Sequence, residues 1–89
     1  MKHKKDFLMQ KVADMFVVVP VGAAAVSFNA LLSFNESGAL LWDKLENDVT
    51  VSELTAAILQ EYEIDEQTAC KDVAIFLDRL EKVGLLEGQ

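Results

Sequence analysis

The sequence predicts a small α+β domain: an antiparallel sheet of three to four strands followed by three helices, in the manner of a winged helix-turn-helix. Three observations predict it. The hydrophobic period changes near Asn35, from the period of about two of strands to the roughly 3.6 of helices. Helix-capping residues stand at the points where that second pattern restarts: Asn35, Thr50 with Glu53, and Asp65. The chain has 89 residues, and at roughly 100–200 residues per domain this leaves room for one domain only.

Residues Phe7, Met9 and Lys11 alternate with Leu8, Gln10 and Val12, which suits a half-buried strand. Ala13 and Asp14 form the turn. Phe16, Val17, Val18 and Val19 make a β-branched run that fits a pleated surface. Pro20 lacks the amide a ladder needs, so it ends that strand or lies at an edge. Gly22 follows as a turn residue, then Val26, Phe28 and residues 31–34 supply one or two further short strands. Asn35 caps a first helix whose apolar face is Leu40, Leu41 and Leu45 with Trp42. Thr50 and Glu53 form a capping box for a second, carrying Val51, Leu54, Ile58 and Tyr62. Asp65 caps a third, over residues 67–83, with Ala69, Val73, Phe76, Leu77 and Leu80 in one stripe. Gly84 sits where a left-handed C-terminal cap belongs, and Leu85 and Leu86 can fold back on the core. The expected core is Phe7, Phe16, Leu41, Trp42, Leu45, Leu54, Ile58, Val73, Phe76, Leu77 and Leu80. Residues 1–6 read as a flexible basic N-terminus and residues 7–89 as the domain.

Composition excludes several functions. Eight Lys and Arg against fifteen Asp and Glu give a net charge of −7. The basic residues crowd into the first eleven positions. From Val12 onward only Lys44, Lys71, Arg79 and Lys82 stand against fourteen acidic residues. Such a body repels phosphate, and nucleic-acid affinity comes mostly from Lys and Arg. The third helix offers Lys71, Arg79 and Lys82 but also Asp72, Asp78 and Glu81, so it lacks the face of a recognition helix. The one Cys, Cys70, allows no internal disulfide and reads as a small buried hydrophobe. The one His, His3, reads as exposed ahead of the first structured residue. With neither beside a general base, no catalytic constellation is expected. No metal-ligand cluster, calcium loop or glycine-rich phosphate loop is found, so no metal or cofactor is expected. The longest run of small and apolar residues, about 12, is too short for a bilayer span of about 20, and the early apolar residues are interrupted by Asp6, Gln10, Lys11 and Asp14, unlike a signal peptide. The chain reads as cytoplasmic, with no membrane contact.

Two features point to peptide binding. Leu31, Leu32, Ser33 and Phe34 contain no charge or Pro to block strand pairing. If that strand is an edge, an extended peptide can complete it; if it is interior, it cannot. Ile75 lies well off the apolar stripe among Lys71, Asp78, Arg79 and Lys82, where an apolar side chain can meet a partner.

These residues also carry a family resemblance. Val18, Val19, Pro20, Val21 and Gly22, then residues 32–38 (Leu-Ser-Phe-Asn-Glu-Ser-Gly), then Leu41, Trp42 and Leu45 resemble the PqqD-like family, named for protein D of pyrroloquinoline quinone biosynthesis. Thr50, Glu53, Leu54, Tyr62, Asp72, Val73, Phe76, Leu77, Leu80, Gly84, Leu85 and Leu86 continue the match, so it spans residues 7–87. The resemblance implies a recognition element for ribosomally made, post-translationally modified peptides. Such a domain has three strands and three helices. It binds the leader of a precursor peptide as an added strand beside its third strand and against its third helix. It presents that leader to a modifying enzyme, often a radical S-adenosylmethionine protein. Carried over, the peptide-binding residues are Leu31, Leu32, Ser33 and Phe34 on the strand, with Lys71, Ile75 and Arg79 on the helix. The departure is residues 23–30, long enough for an extra strand or hairpin that moves the open edge. Nothing identifies quinone cofactor synthesis itself, and a related modified-peptide pathway fits equally. The rival functions are a winged-helix DNA-binding regulator and a structural module in which the open edge permits a homodimer.

Overall fold

The computed structural model describes residues 1–27 and 32–88. Among the described residues five strands, paired into two antiparallel sheets, and four helices are strung along the chain. Strand β1 is Lys2–His3, β2 is Phe7–Val12 and β3 is Met15–Pro20. Helix α1 is Ala24–Ser27, and β4 is Leu32–Phe34. Helices α2, α3 and α4 are Glu36–Lys44, Val51–Glu61 and Glu66–Lys82, and β5 is Leu86–Glu87. The larger sheet has the order β2-β3-β4. A two-residue turn closes β2 onto β3, pairing Val12 with Met15 and Phe7 with Pro20. Ala13 in that turn has φ +56°, as two-residue hairpin turns demand of their first central residue. Strand β4 pairs with β3 through Phe16↔Phe34, Val17↔Ser33 and Val18↔Leu32.

Alternation along these strands sets the two faces. Phe7, Val18, Leu32 and Phe34 are buried against the helices, whereas Leu8, Gln10, Val12, Met15 and Ser33 are exposed. The helices start where the caps stand. Asn35 accepts from the Gly38 amide at 3.1 Å, Thr50 and Glu53 complete their capping box, and Asp65 accepts from the Thr68 amide at 2.7 Å. Helix α4 ends in a Schellman motif: Leu85 N–H donates to the Leu80 carbonyl, Gly84 N–H to that of Glu81, and Gly84 has φ +76°. That turn delivers Leu85, fully buried, into the core.

Four expectations need correction. Residues 23–30 were expected to supply a strand through Val26 and Phe28. The structure forms α1 at Ala24–Ser27 instead, because the run Ala23-Ala24-Ala25 favours helix. Val26 on it is 91% exposed, while Phe28 lies outside the described residues. Residues 1–6 were expected as a free tail with His3 exposed. Strand β1 instead pairs with β5, Lys2 opposite Glu87 and His3 opposite Leu86. The His3 ring stacks on Trp42 at 4.0 Å between centroids and 6° between planes. Cys70 was expected buried but is exposed, since the buried stripe of α4 is Ala69, Val73, Phe76 and Leu80 and Cys70 stands about 100° round the helix from Ala69. Phe16 and Leu77, expected in the core, are half-buried at its margin.

Candidate functional site

The sheet has two edges, β2 and β4. Strand β2 carries the exposed Lys11, a residue that discourages added strands. Strand β4 carries no charge of its own, and β3 is its one strand partner among the described residues. A cleft of about 380 Å³ opens between β4 and α4. Its apolar lining comes from Phe34, Phe76, Leu41 and Ile58, with Met15 and Ile75 also contributing. Its polar rim is Ser33, Asn35, Ser37, Asp72 and Arg79.

The cleft is shaped from the sequence upward. Asn35 ends β4 and starts α2 in the same residue, because its side chain accepts from both the Gly38 amide and the Ser37 hydroxyl. The tight corner brings Gly38 against Phe34: a Cβ there would stand 2.7 Å from Phe34 Cβ. Only glycine lets α2 approach β4 so closely. Phe34 is in turn held by Phe76, centroids 4.9 Å apart, and by Trp42 at 6.1 Å. Edge strand and helix are thereby locked at a fixed separation.

The sequence-predicted residues fall as follows. Leu32 and Phe34 are buried, with Val18 and Phe16 of β3 opposite them, so their side chains serve the core. Ser33 is exposed and lines the cleft. Leu31 lies outside the described residues. Ile75, 54% exposed, lines the cleft, as does Arg79. Arg79 Nη2 donates to the Ser33 carbonyl at 3.0 Å, and its guanidinium carbon stands 5.2 Å from the Phe34 ring centroid. Lys71 is exposed and is not part of the cleft lining; spacing of four residues puts it on the same α4 face one turn before Ile75. Lys82 is paired with Asp78 at 3.0 Å. Sequence reasoning missed Met15, Asn35, Ser37 and Asp72 as cleft residues. From the residues themselves Asn35 reads as a cap and Asp72 as a charge that offsets the cations of the third helix.

Among the described residues no group of three or more His, Cys, Asp or Glu is placed to hold a metal ion. No helix among them is long and apolar enough to cross a membrane. The carboxylates with displaced pKa lie outside the cleft. Asp48 is held below the ordinary carboxylate range by its hydrogen bond from the Met1 amino group and that group's charge. Asp65 is lowered by the hydrogen bonds it accepts from Thr68.

The fold is similar to that of two proteins solved in complex with leader peptides. TbiB1, solved in complex with the TbiA(beta) leader peptide, superposes with a TM-score of 0.78 at 26% identity, covering 100% of this chain and 98% of that one. Lasso peptide synthetase B1, solved with its leader peptide, has a TM-score of 0.72 at 16% identity, covering 98% and 96%; this likeness concerns the fold alone. No curated protein sequence matches the chain. The family of coenzyme PQQ synthesis protein D matches over residues 15–86. With most of its length matched, this chain belongs to the PqqD family.

Proposed function

We propose that this chain is a non-catalytic adaptor that captures the leader of a ribosomally made precursor peptide as a strand added to β4. It then presents the leader to a peptide-modifying enzyme, of the radical S-adenosylmethionine type or another, in pyrroloquinoline quinone-type or related modified-peptide biosynthesis in the cytoplasm. The observation that carries this is the uncharged β4 edge, with β3 as its one strand partner among the described residues, beside a cleft of about 380 Å³. It occurs in a PqqD-family chain whose fold neighbour TbiB1 is held with a leader peptide. Backbone groups of β4 give affinity by completing the ladder, and cleft side chains give selectivity. The residues assigned to this role are Ser33, whose backbone faces away from β3, and the side chains of Ile75 and Arg79, with Lys71 one turn before Ile75. Leu31, Leu32 and Phe34 are assigned to the strand that the peptide joins.

The charge distribution supports a peptide over DNA. Lys82 is neutralised by Asp78, and Arg79 is turned onto Ser33, so α4 presents no cationic stripe. The open edge also fits a second copy of the chain, although a net charge of −7 on each copy opposes that dimer.

Ser33→Pro tests the reading. The carbonyl and amide of one strand residue point to the same side, and the Ser33 carbonyl faces Arg79 rather than β3. Proline at 33 removes the outward donor and leaves the Leu32 and Phe34 amides untouched. The expected outcome is loss of binding to the leader half of the precursor encoded beside the gene, about tenfold or more for one ladder bond, with folding retained. Unchanged affinity places the peptide elsewhere.

A further inference from the structure

From Val12 onward the chain has four cations among fourteen carboxylates, yet Arg79 pairs with no carboxylate among the described residues. The helix explains why. Residues three and four positions from Arg79 are Ile75, Phe76, Lys82 and Val83, none of them acidic, so no carboxylate lies one turn away to take the guanidinium. Arg79 instead reaches across the cleft to the Ser33 carbonyl at 3.0 Å and lies over the Phe34 ring. That carbonyl is the acceptor that the amide of an added strand needs. A single hydrogen bond to a neutral carbonyl is also a poor use of a guanidinium, whose fork of donors matches a carboxylate.

We propose that Arg79 is a selectivity residue of this cleft. A peptide strand that adds to β4 displaces the guanidinium from Ser33, and the cleft prefers peptides that place an Asp or Glu where the released guanidinium can pair with it. The inference rests on the strand-addition function proposed above. It assigns the peptide a charge pattern as well. Asp72, the other charged residue of the lining, stands about two turns before Arg79 on α4. A carboxylate is therefore favoured at the Arg79 end of the cleft and opposed at the Asp72 end. Before binding, the same contact blocks the edge, since the acceptor at Ser33 is already occupied. Arg79 thus covers from outside a strand that carries no protective charge itself.

The test uses the intact chain and a fluorescein-labelled synthetic peptide, the leader half of the precursor encoded beside the gene. A second set of peptides changes each Asp to Asn and each Glu to Gln, one at a time. Affinities are measured by anisotropy for the natural chain, Arg79→Gln and Arg79→Lys. The expected result is one carboxylate whose neutralisation weakens binding to the natural chain about fivefold and to Arg79→Gln less than twofold. Arg79→Lys, keeping charge but not the fork, lies between. Independently of any variant, the Arg79 side-chain Nε–H resonance moves on saturation with the natural leader and moves less with the neutralised one. Equal losses on the natural chain and Arg79→Gln overturn the proposal, as does tight binding of a leader without any Asp or Glu. In both cases β4 amides that still shift leave the adaptor function standing. A leader that does not bind the natural chain at all overturns both.

Discussion

Gly38 decides the geometry of the cleft through a single missing carbon. Alanine ordinarily improves a helix by about 1 kcal/mol over glycine. Here the added Cβ would press on Phe34 Cβ at 2.7 Å, and Phe34 is itself fixed by Trp42 and Phe76. Gly38→Ala is therefore expected to destabilise by about 1–3 kcal/mol, read as a lower urea midpoint, and to shift the β4 amides. Ala13 shows the opposite case. Its φ of +56° is left-handed backbone, which costs an L-residue about 1–2 kcal/mol. Ala13→Gly should raise stability by about 1 kcal/mol; an unchanged midpoint would show that the turn is not strained. Two carboxylates give the acid limb its sign. Asp48 and Asp65 are both lowered, so their contribution is present above the ordinary carboxylate pKa of about 3.9 and is lost as pH falls through their lower folded values. Asp65→Asn should flatten the fall in urea midpoint between pH 5 and about pH 2; an identical slope contradicts the assignment. At this scale the sequence was informative where a residue acts on its own backbone, as at Asn35, Thr50 and Asp65. It was uninformative where action crosses the fold, as with Gly38 under Phe34 or Arg79 on Ser33.

At the scale of elements, local signals found the strands β2, β3 and β4 through alternation and apolar runs, and the three long helices through period and cap. The facing of β4 is different. Leu32 and Phe34 face the core while Ser33 faces out, which three residues can hardly reveal as a period. Its status as an edge depends on the strand order, and that is a tertiary property. Helix α1 was misread because Val26 and Phe28 resemble strand residues, whereas three alanines before Val26 have no side chains that need a sheet. Helix α4 has two jobs on two faces. Its buried stripe holds the fold, and Ile75 and Arg79 face the cleft. Phe76→Ala, which removes a ring packed on Phe34, should cost about 3–5 kcal/mol and lower peptide affinity together with stability. Ile75→Ser, more than half exposed, should leave the unfolding midpoint within about 0.5 kcal/mol while weakening peptide binding. Equal effects of the two on stability would contradict this division of α4.

Across the whole molecule, the N-terminal segment ties the two ends of the fold together. The Met1 amino group pairs with Asp48 and donates to the Val49 carbonyl at 2.9 Å. His3 N–H donates to the Leu45 carbonyl at 3.0 Å, and Lys4 N–H to that of Leu85 at 2.9 Å. One short strand thus clamps the connection between α2 and α3 to the segment after α4. A cluster of Lys residues around one His gives no hydrophobic period, so its strand character was invisible until β5 was in place to pair with it. The clamp meets the cleft through Trp42, on which His3 stacks and whose ring stands 6.1 Å from that of Phe34, and the cleft itself depends on the packing of Phe34 between α2 and α4. The most direct test of the central claim is an amide NMR titration of the labelled chain with the leader half of the neighbouring precursor peptide. Strand addition at β4 predicts saturable shifts confined to Leu32, Ser33, Phe34 and the Ile75–Arg79 face of α4, with new exchange protection at Ser33. Shifts centred on the β2 edge, or a folded spectrum unmoved at high peptide excess, would contradict it.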